Sequence, residues 1–281
     1  MKHSILISGA AQGIGAEIAR VFYQRGYKVG IYDINESLAQ NLAQELGPNA
    51  CAGYLDVSDY SQWQHILKEF TDWAGELNIL VNNAGILYSG AFENIDIKSH
   101  QRTININVNG VINGCHAALP YLKQASFARV INLSSASAIY GQADLISYSA
   151  SKFAVRGITE GLDVEWKKYG IRVLDVMPLF VQTAMVNNMD AGSIQNMGVD
   201  LTPNDIAQQV LSLVEKKAHF WTPTHTPVGI KTKLLYQLST ISPQFLNRLT
   251  IVKLLYYSYK IRKKLEITHR LSRSTILYAY V

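Results

Sequence analysis

Short runs of aliphatic residues alternate along the chain with longer stretches in which apolar residues recur every three or four positions. Several of the short runs are continuously apolar, which is typical of parallel strands that are buried on both faces. The short runs predict seven strands, at Ser4–Ser8, Lys28–Tyr32, Ala50–Tyr54, Ile79–Asn82, Arg129–Leu133, Arg172–Val176 and His219–Thr222. The amphipathic stretches predict six helices, at Ile14–Arg25, Glu36–Leu46, Asp59–Trp73, Thr103–Lys123, Ser149–Lys168 and Pro203–Lys217.

Strands that alternate with helices predict a parallel sheet with right-handed crossover connections. The expected fold class is therefore α/β, a doubly wound parallel sheet of about seven strands. The sequence has no internal repeat and no low-complexity linker. We expect one domain over residues 1–229 and a basic, mostly helical C-terminal extension over residues 230–281.

Composition excludes several classes of protein. With 281 residues, of which 48% are hydrophobic and 17% charged, the chain is too apolar to be disordered and long enough to bury a core. No uncharged apolar run approaches the roughly 18 residues of a membrane-spanning helix. The first apolar run, Ile5–Ile7, leads directly into glycines, so we expect no secretory signal. Cys51 and Cys115 lie far apart without metal-ligand spacing, which predicts no metal site and favours a reducing, cytoplasmic location.

The formal net charge of +5 is unevenly distributed. From Ile230 to the end, ten Lys and Arg residues face a single acid, Glu266, a balance of +9. The other 229 residues carry a balance of −4. Because the main part of the chain is mildly acidic, the high isoelectric point does not indicate nucleic-acid binding.

A glycine-rich turn follows the first predicted strand. Gly9, Gly13 and Gly15, with Gln12 just before the second glycine and Ile14 between the last two, lead directly into the first helix. Glycines there allow a tight turn and close approach of the backbone to a pyrophosphate, which the free N–H groups of the helix N-terminus attract. The spacing differs from the common G-x-G-x-x-G, and three glycines also occur in ordinary turns. The strand–turn–helix context favours a dinucleotide-binding, Rossmann-type site.

Asp33 ends the second predicted strand. A carboxylate at this position can accept hydrogen bonds from the adenosine ribose hydroxyls and would repel a 2′-phosphate. Ala11 and Gln12 in the glycine turn are not basic, and Asn35 and Glu36 follow Asp33. We therefore expect NAD(H), with NADP(H) less favoured, although a solvated aspartate at a strand end would look the same.

Three further motifs follow later strands in a fixed order: Asn83-Ala84-Gly85 after strand four, Ser135 after strand five, and Tyr148 with Lys152 beyond it. A Tyr-x-x-x-Lys pair alone is weak evidence, because this chain contains three of them. Together with the glycine turn, however, the ordered set resembles the short-chain dehydrogenase/reductase (SDR) family over residues 4–222. The resemblance implies a Rossmann-type catalytic domain and hydride transfer between a nicotinamide cofactor and an alcohol or carbonyl.

The residue types suit that chemistry. A tyrosine with an ordinary pKa near 10 is a poor base at neutral pH. Lys152, one helical turn from Tyr148, places a cation on the same face and, with the charged nicotinamide of NAD⁺, should lower the pKa of the phenol. Ser135 can donate a hydrogen bond to the substrate oxygen. By resemblance, Lys152 also holds the nicotinamide ribose.

The resemblance implies a fourth catalytic residue, an asparagine whose backbone carbonyl would hold a water in a proton relay to Lys152. The N-x-x-G pattern of the family selects Asn107, while Asn105 and Asn109 beside it keep the assignment open. Polar residues on an exposed helix face are the alternative. The resemblance implies five further cofactor contacts, Asp56 and Val57 at the adenine and Pro178, Val181 and Thr183 at the nicotinamide carboxamide.

Leu179 stands where the family usually has glycine, so the local backbone path is open to question. The family places a lid next, here Ala184–Leu201, which contains Met185, Met189 and Met197 but no Arg, Lys or His. Flexible methionines suit an adaptable apolar pocket, although they could equally pack the lid against the body. We expect a small hydrophobic alcohol or carbonyl substrate.

These inferences predict an NAD-dependent short-chain alcohol dehydrogenase or carbonyl reductase with a Ser-Tyr-Lys-Asn set. One alternative is a 3-oxoacyl-carrier-protein reductase, although Asp33 argues against the NADPH preference of those enzymes. Another is a regulator that senses dinucleotide without catalysis, although such relatives typically lose the Ser, Tyr and Lys that this chain keeps. By resemblance, the helices at Thr103–Lys123 and Ser149–Lys168 pair in a homodimer or homotetramer.

The C-terminal extension has a basic amphipathic pattern. Between Ile251 and Leu265, aliphatic residues alternate with Lys and Arg, and Tyr256, Tyr257 and Tyr259 lie among them. Such a segment could lie peripherally on an anionic membrane surface, and could equally cover the pocket or pack on another subunit.

Overall fold

The structure is a computed structural model. It describes residues 3–187, 192–216 and 222–241, together with positions 243, 245 and 249. Its centre is a seven-stranded sheet with the strand order β3-β2-β1-β4-β5-β6-β7, in which every pair is parallel. The strands are β1 Ser4–Ser8, β2 Lys28–Asp33, β3 Ala50–Tyr54, β4 Ile79–Asn82, β5 Arg129–Leu133, β6 Arg172–Met177 and β7 His225–Pro227. The predicted doubly wound, Rossmann-type fold is confirmed.

Helices cover both faces of this sheet. They are α1 Gly13–Gln24, α2 Glu36–Leu46, α3 Tyr60–Ala74, α4 Ile97–Ile104, α5 Gly110–Leu122, α6 Ile146–Glu165, α7 Ala184–Asn187, α8 Gly192–Met197, α9 Pro203–Glu215 and α10 Ile230–Ile241. A π-helical segment, Asn105–Asn109, joins α4 to α5. Short 3₁₀ segments lie at Phe92–Asn94, Ala136–Ala138 and Trp166–Tyr169.

Two differences from the predicted elements are informative. The helix expected at Thr103–Lys123 begins at Ile97 instead, because Asp96 caps it, and the π-helical segment interrupts it. The last described strand is His225–Pro227. Of the strand predicted at His219–Thr222, Thr222 lies outside any strand, and the other three residues fall outside the described part of the chain. The apolar pattern misses β7 because its first residue is a buried histidine.

The core has two layers, one on each face of the sheet. Alternate residues of one strand point to opposite layers: Ile5 and Ile7 pack with α1 and α9, and Leu6 packs with α3 and α5. This arrangement explains why the central strands are continuously apolar. Among the described helices, none is both long enough and apolar enough to cross a bilayer.

A buried ladder of hydrogen bonds fixes α6 against the sheet. Asn82 of β4 donates to the side-chain oxygen of Asn132 in β5 at 2.9 Å. Asn132 donates in turn to the Thr159 hydroxyl of α6 at 2.9 Å, and that hydroxyl donates to the carbonyl of Val155 at 2.8 Å. Because buried polar groups cost free energy unless they are paired, this ladder holds α6 in one position relative to the ends of β4 and β5.

We expect Asn132→Leu to lower the free energy of unfolding by about 2–4 kcal/mol, because it leaves Asn82 and Thr159 without a shared partner. Chemical denaturation of both proteins measures the difference. Asn41→Leu, on the exposed face of α2, is the matched control and should change stability little. Equal destabilisation by the two changes would contradict a specific contribution from the ladder.

Candidate active site

The turn after β1 has the backbone conformation that glycine favours. Gly9 and Gly13 have φ values of +65° and +57°. A Cβ atom on Gly15 would lie 2.4 Å from the carbonyl oxygen of Gly9 and 2.6 Å from the side-chain nitrogen of Asn83, so no other residue fits there. Gln12 precedes α1 without a side-chain capping hydrogen bond, so its side chain leaves the first N–H groups of the helix for an anion.

The end of β4 holds this turn in place. The side chain of Asn83 donates to the carbonyls of Ser8 and Gly9 at 3.0 and 2.7 Å. The Ser8 hydroxyl accepts from the backbone N–H groups of Asn83 and Ala84 at 3.2 and 3.3 Å. The Asn83-Ala84-Gly85 motif therefore supports the glycine turn and lines the same cavity.

Two carboxylates lie at the other end of that cavity. Asp33, half-buried at the end of β2, accepts from the backbone N–H of Ala11 at 3.0 Å and of Asn35 at 2.9 Å. One oxygen of Asp56 accepts from the N–H and the hydroxyl of Ser58. The structure thus places both carboxylates where the sequence predicts the adenosine half of a cofactor.

A cavity of about 470 Å³ connects these features with the predicted catalytic residues. Of the predicted site residues, all but two line it: Gly9, Gln12, Gly13, Ile14, Asp33, Asp56, Val57, Asn83, Ala84, Gly85, Ser135, Tyr148, Lys152, Pro178, Val181 and Thr183. The exceptions, Gly15 and Asn107, lie directly behind the lining. Gly15 packs against the glycine turn, and Asn107 against the loop after β4.

Ser135, Tyr148 and Lys152 converge at the end of β5. Burial raises the pKa of Tyr148, and a hydrogen bond with Ser135 opposes that rise. The Lys152 ammonium lies 5.5 Å from the centre of the Tyr148 ring and donates to the carbonyl of Leu133 at 2.6 Å. Burial lowers the pKa of Lys152 to about 8, although the negative charge of Asp175 opposes this. Burial therefore acts against the expected lowering of the Tyr148 pKa. Positive charge close to the phenol has to outweigh the effect of burial.

Asn107 is the asparagine that the fold brings to this site. Its side chain accepts from the N–H of Ile86 at 2.8 Å and donates to the Ile86 carbonyl at 2.9 Å and to the Ser151 hydroxyl at 3.0 Å. It is buried, whereas Asn105 and Asn109 are exposed and bond to each other. Asn107 lies within the π-helical segment, a local distortion that is frequent at functional sites.

Leu179, in place of the family glycine, fits without strain. Among the described residues, Asp144 is the single non-glycine residue with a positive φ. Leu179 therefore has an ordinary backbone conformation, and its position does not require glycine. The Leu179 side chain packs against a small cluster that includes Met177 and Leu235. The substitution therefore leaves the backbone conventional and adds an apolar surface to the cavity wall.

The segment that enters the predicted lid and the residue that ends it lie side by side. Val181 forms a strand-like bridge with Leu201, and Gln182 donates to the Leu201 carbonyl at 2.9 Å. Met185 lines the cavity from α7, and Met197 packs against the cluster beneath the lid. Met189 lies outside the described residues.

Sequence reasoning missed a polar cluster beside the catalytic helix, in which His225 and Asp175 are buried and Glu160 and Arg156 reach the surface. One nitrogen of His225 bonds to Asp175 at 2.7 Å and the other to Glu160 at 2.6 Å, and Arg156 donates to the same Glu160 oxygen at 3.3 Å. Burial lowers the pKa of His225, but its bond to Asp175 and the two carboxylates outweigh burial and raise it. The available signal was a carboxylate in the middle of an apolar strand, which requires a buried partner.

A second residue that the sequence did not single out is Arg102, which lines the cavity from α4. Ile106 lies four residues further along and lines the cavity too, as expected for neighbours on one helix face. Together with Lys152, Arg102 is one of two cations in the described lining.

The glycine turn at a helix N-terminus, between the carboxyl ends of parallel strands, defines a dinucleotide-binding protein of the Rossmann type. The model of the short chain dehydrogenase family matches residues 3–193. The chain therefore belongs to the short-chain dehydrogenase/reductase family, and it is an SDR oxidoreductase. The predicted family is thereby confirmed.

Two characterised relatives are dehydrogenases of cyclic alcohols. Trans-4-hydroxycyclohexanecarboxylate dehydrogenase of Sinomonas cyclohexanicum is 34% identical over 77% of this chain and 87% of its own length. The 3-alpha-(or 20-beta)-hydroxysteroid dehydrogenase of Mycobacterium tuberculosis is 33% identical over 77% of this chain and 84% of its own length.

Two solved structures are similar in fold, each at 28% identity. The 3-ketoacyl-(acyl-carrier-protein) reductase of Brucella melitensis, complexed with NADH, has a TM-score of 0.75 over 80% of this chain and 96% of its own. ElxO with NADP bound has a TM-score of 0.73 over 81% and 97%. Relatives of this fold thus bind either nicotinamide cofactor.

We expect Lys152→Met to raise the free energy of unfolding at pH 7 by up to about 3 kcal/mol, less the lost hydrogen bond to Leu133. The pKa of Lys152 is lower in the folded chain than the 10.5 of an ordinary lysine, so burying its charge is unfavourable below about pH 8. The penalty disappears as pH rises from about 8 to 10.5, and the advantage of the variant should shrink over that range.

Thermal unfolding at pH 7 and pH 9.5 measures this difference. Lys98→Met, on an exposed position of α4, is the control and should give no pH-dependent gain. A Lys152→Met variant that is less stable than wild type at both pH values would contradict the expected cost of the buried charge.

Proposed function

We propose that this protein transfers a hydride between NAD(H) and a small hydrophobic alcohol or ketone, as an NAD-dependent alcohol dehydrogenase or carbonyl reductase. The observation that carries the proposal is the convergence of Ser135, Tyr148 and Lys152 on one cavity with the glycine turn. The cofactor would occupy that cavity and supply or accept the hydride. Ser135, Tyr148 and Lys152 would handle the proton and orient the substrate oxygen.

In the direction of reduction, the Tyr148 hydroxyl would donate its proton to the oxygen of the reduced substrate. In the direction of oxidation, the same oxygen, ionised, would accept the proton of the alcohol. Ser135 is within hydrogen-bonding contact of Tyr148 and would donate to the substrate oxygen beside it. Because burial raises the pKa of Tyr148, the Lys152 cation is needed to favour the ionised form.

Asn107 would serve as a positioning residue in the proton path. Its side chain bonds to Ile86 and Ser151, which fixes the residue beside the site, and the family resemblance assigns the relay water to its backbone carbonyl. The proximity has support from Gly85, whose Cβ, if present, would lie 3.3 Å from the Asn107 side chain and 3.8 Å from the Lys152 ammonium.

Asp33 supports the preference for NAD(H). Its oxygens already accept from Ala11 and Asn35, which orients the carboxylate at the end of β2. A 2′-phosphate near it would meet a negative charge, and the adjoining turn contains no cation. Arg102 is a cation that lines the same cavity, but it lies on α4 and not in the turn beside Asp33.

An apolar wall supports the choice of a hydrophobic substrate. Leu87, Leu145, Leu179 and Met185 line the cavity on the side of Tyr148 and the lid. The hydroxysteroid and hydroxycyclohexanecarboxylate relatives are in keeping with cyclic alcohols. A second candidate is a 3-oxoacyl-carrier-protein reductase, which the similar Brucella melitensis structure favours.

We propose further that the chain assembles as a homodimer or homotetramer through α5 and α6. Ile112 of α5 and Phe153 and Val164 of α6 are exposed apolar side chains on those helices. Such residues on neighbouring helices are typical of a face that packs on another subunit.

We expect Tyr148→Phe to lower kcat by about a hundred-fold to ten-thousand-fold while NADH still binds, because only the proton donor is lost. The assay follows absorbance at 340 nm with a panel of cyclic and aliphatic ketones and alcohols, and fluorescence titration measures NADH binding. Tyr54→Phe, an exposed tyrosine of β3, is the control. Full activity of Tyr148→Phe, or turnover of acyl-carrier substrates alone, would overturn the assignment.

We expect wild-type enzyme to prefer NADH to NADPH, and Asp33→Asn to reduce that preference by about ten- to a hundred-fold. The amide keeps an acceptor for the N–H of Ala11 and removes the charge that would repel a 2′-phosphate. The kcat/KM ratio for the two cofactors measures the effect, and Asp59→Asn, outside the cavity, is the control. A wild-type preference for NADPH would refute the role of Asp33.

A further inference from the structure

Helix α10 is apolar on two opposite faces. On one face, Leu235 is buried and packs, with Tyr236 beside it, against the protein. On the other face, Ile230, Leu234, Leu238 and Ile241 are spaced by four, four and three residues, which aligns them along one side of a helix. All four are exposed, Ile230 and Ile241 by 86% and 77% of their surface.

We call the four side chains of the exposed face the apolar stripe: Ile230, Leu234, Leu238 and Ile241. Helix α10 ends at Ile241, and Pro243 lies outside any helix, so the helical row ends there. Phe245 and Leu249 are further exposed apolar side chains, at 64% and 48%. Single exposed apolar residues are ordinary, but an ordered row of four large ones marks an interaction surface.

Helix α10 packs beside the substrate cavity through its buried face. Leu235 lies in one cluster with Ala136, Met177 and the cavity-lining Leu179. The hydroxyl of Tyr140 donates to the Leu235 carbonyl at 3.4 Å. At the N-terminal end of α10, Lys231 binds the carbonyl of Met197 and the carboxylate of Asp200 at the base of the lid. Helix α10 therefore contacts both the cavity wall and the lid.

Charge decides which partner fits this face. The chain from Ile230 onward carries ten basic residues and one acid, whereas the rest has a balance of −4. Lys233 of α10 makes no ion pair among the described residues and is free to meet an anionic group. Self-association through α10 would join two chains whose sequences from Ile230 onward each carry a balance of +9, which disfavours a second copy as the partner.

We propose that the apolar stripe docks on an anionic lipid bilayer, with Lys233 at the headgroups. An interfacial segment with this combination of apolar and cationic side chains is typical of peripheral membrane contact. Docking through α10 would hold the lid and the adjoining cavity near the bilayer. In that position an apolar alcohol or ketone, the substrate class of the proposed function on which this last step rests, could enter directly from lipid.

Co-sedimentation of the full-length protein with two kinds of vesicle tests the docking. One contains phosphatidylcholine alone, and the other contains about one third phosphatidylserine. We expect binding to the anionic vesicles, weakened by added salt, and at least about tenfold weaker binding for a Leu234→Glu/Leu238→Glu double variant. Leu38→Glu, at an exposed leucine of α2, is the matched control and should bind like wild type.

The same preparations are assayed for thermal unfolding and for oxidation of a water-soluble alcohol. The double variant should retain both, because its changes lie on the exposed face of α10. Equal vesicle binding by wild type and the double variant, or no vesicle binding by wild type, would overturn the proposal. A dimer of the wild type that the double variant lacks would assign the stripe to a second copy instead, and would overturn it too. Loss of activity with every alcohol, by contrast, would count against the proposed function and leave the docking result standing.

Discussion

The burial of one cation organises the catalytic side of this protein. The Lys152 ammonium lies beneath the end of β5 and has the Leu133 carbonyl as its close partner, at 2.6 Å. A buried ammonium is costly unless polar groups surround it, and its lowered pKa is the sign of that cost. The Leu133 carbonyl and the negative charge of Asp175 offset part of the cost, and the Asn132–Thr159 hydrogen bond fixes α6, which carries the lysine. The lysine can then present its charge to Tyr148 without reorganisation, which is the condition for electrostatic stabilisation of an oxyanion.

The dinucleotide end of the cavity follows the opposite principle, since it relies on backbone in place of charged side chains. Positive φ angles at Gly9 and Gly13 turn the chain into α1, and Asn83 holds the turn from β4. N–H groups at a helix N-terminus attract phosphate without any lysine or arginine. This explains how a catalytic body with a net balance of −4 can bind a polyanionic cofactor.

Periodicity and motif order predicted most of this arrangement, for identifiable reasons. Strands β1, β2, β4, β5 and β6 are largely buried on both faces, so their apolar runs are unambiguous, and motifs at the carboxyl ends of parallel strands must meet at one edge of the sheet. β7 escaped prediction because His225 is polar and yet buried, a state that only its partners Asp175 and Glu160 explain. The π-helical segment escaped for the same reason: the side-chain bonds of Asn107 to the loop after β4 are long-range and leave no periodic signal.

The cluster around His225 also determines how the C-terminal helix relates to the catalytic centre. Asp175 lies opposite Asn132 in the sheet, and its charge acts on Lys152. His225 joins Asp175 to Glu160 of α6, and the ring of Tyr236, on α10, lies 6.5 Å from His225 and 5.5 Å from the Arg156 guanidinium. The buried face of α10 is therefore part of the same packed unit as the catalytic helix. A helix held by these contacts on one side presents the exposed apolar side chains of its other side in a fixed orientation relative to the catalytic helix.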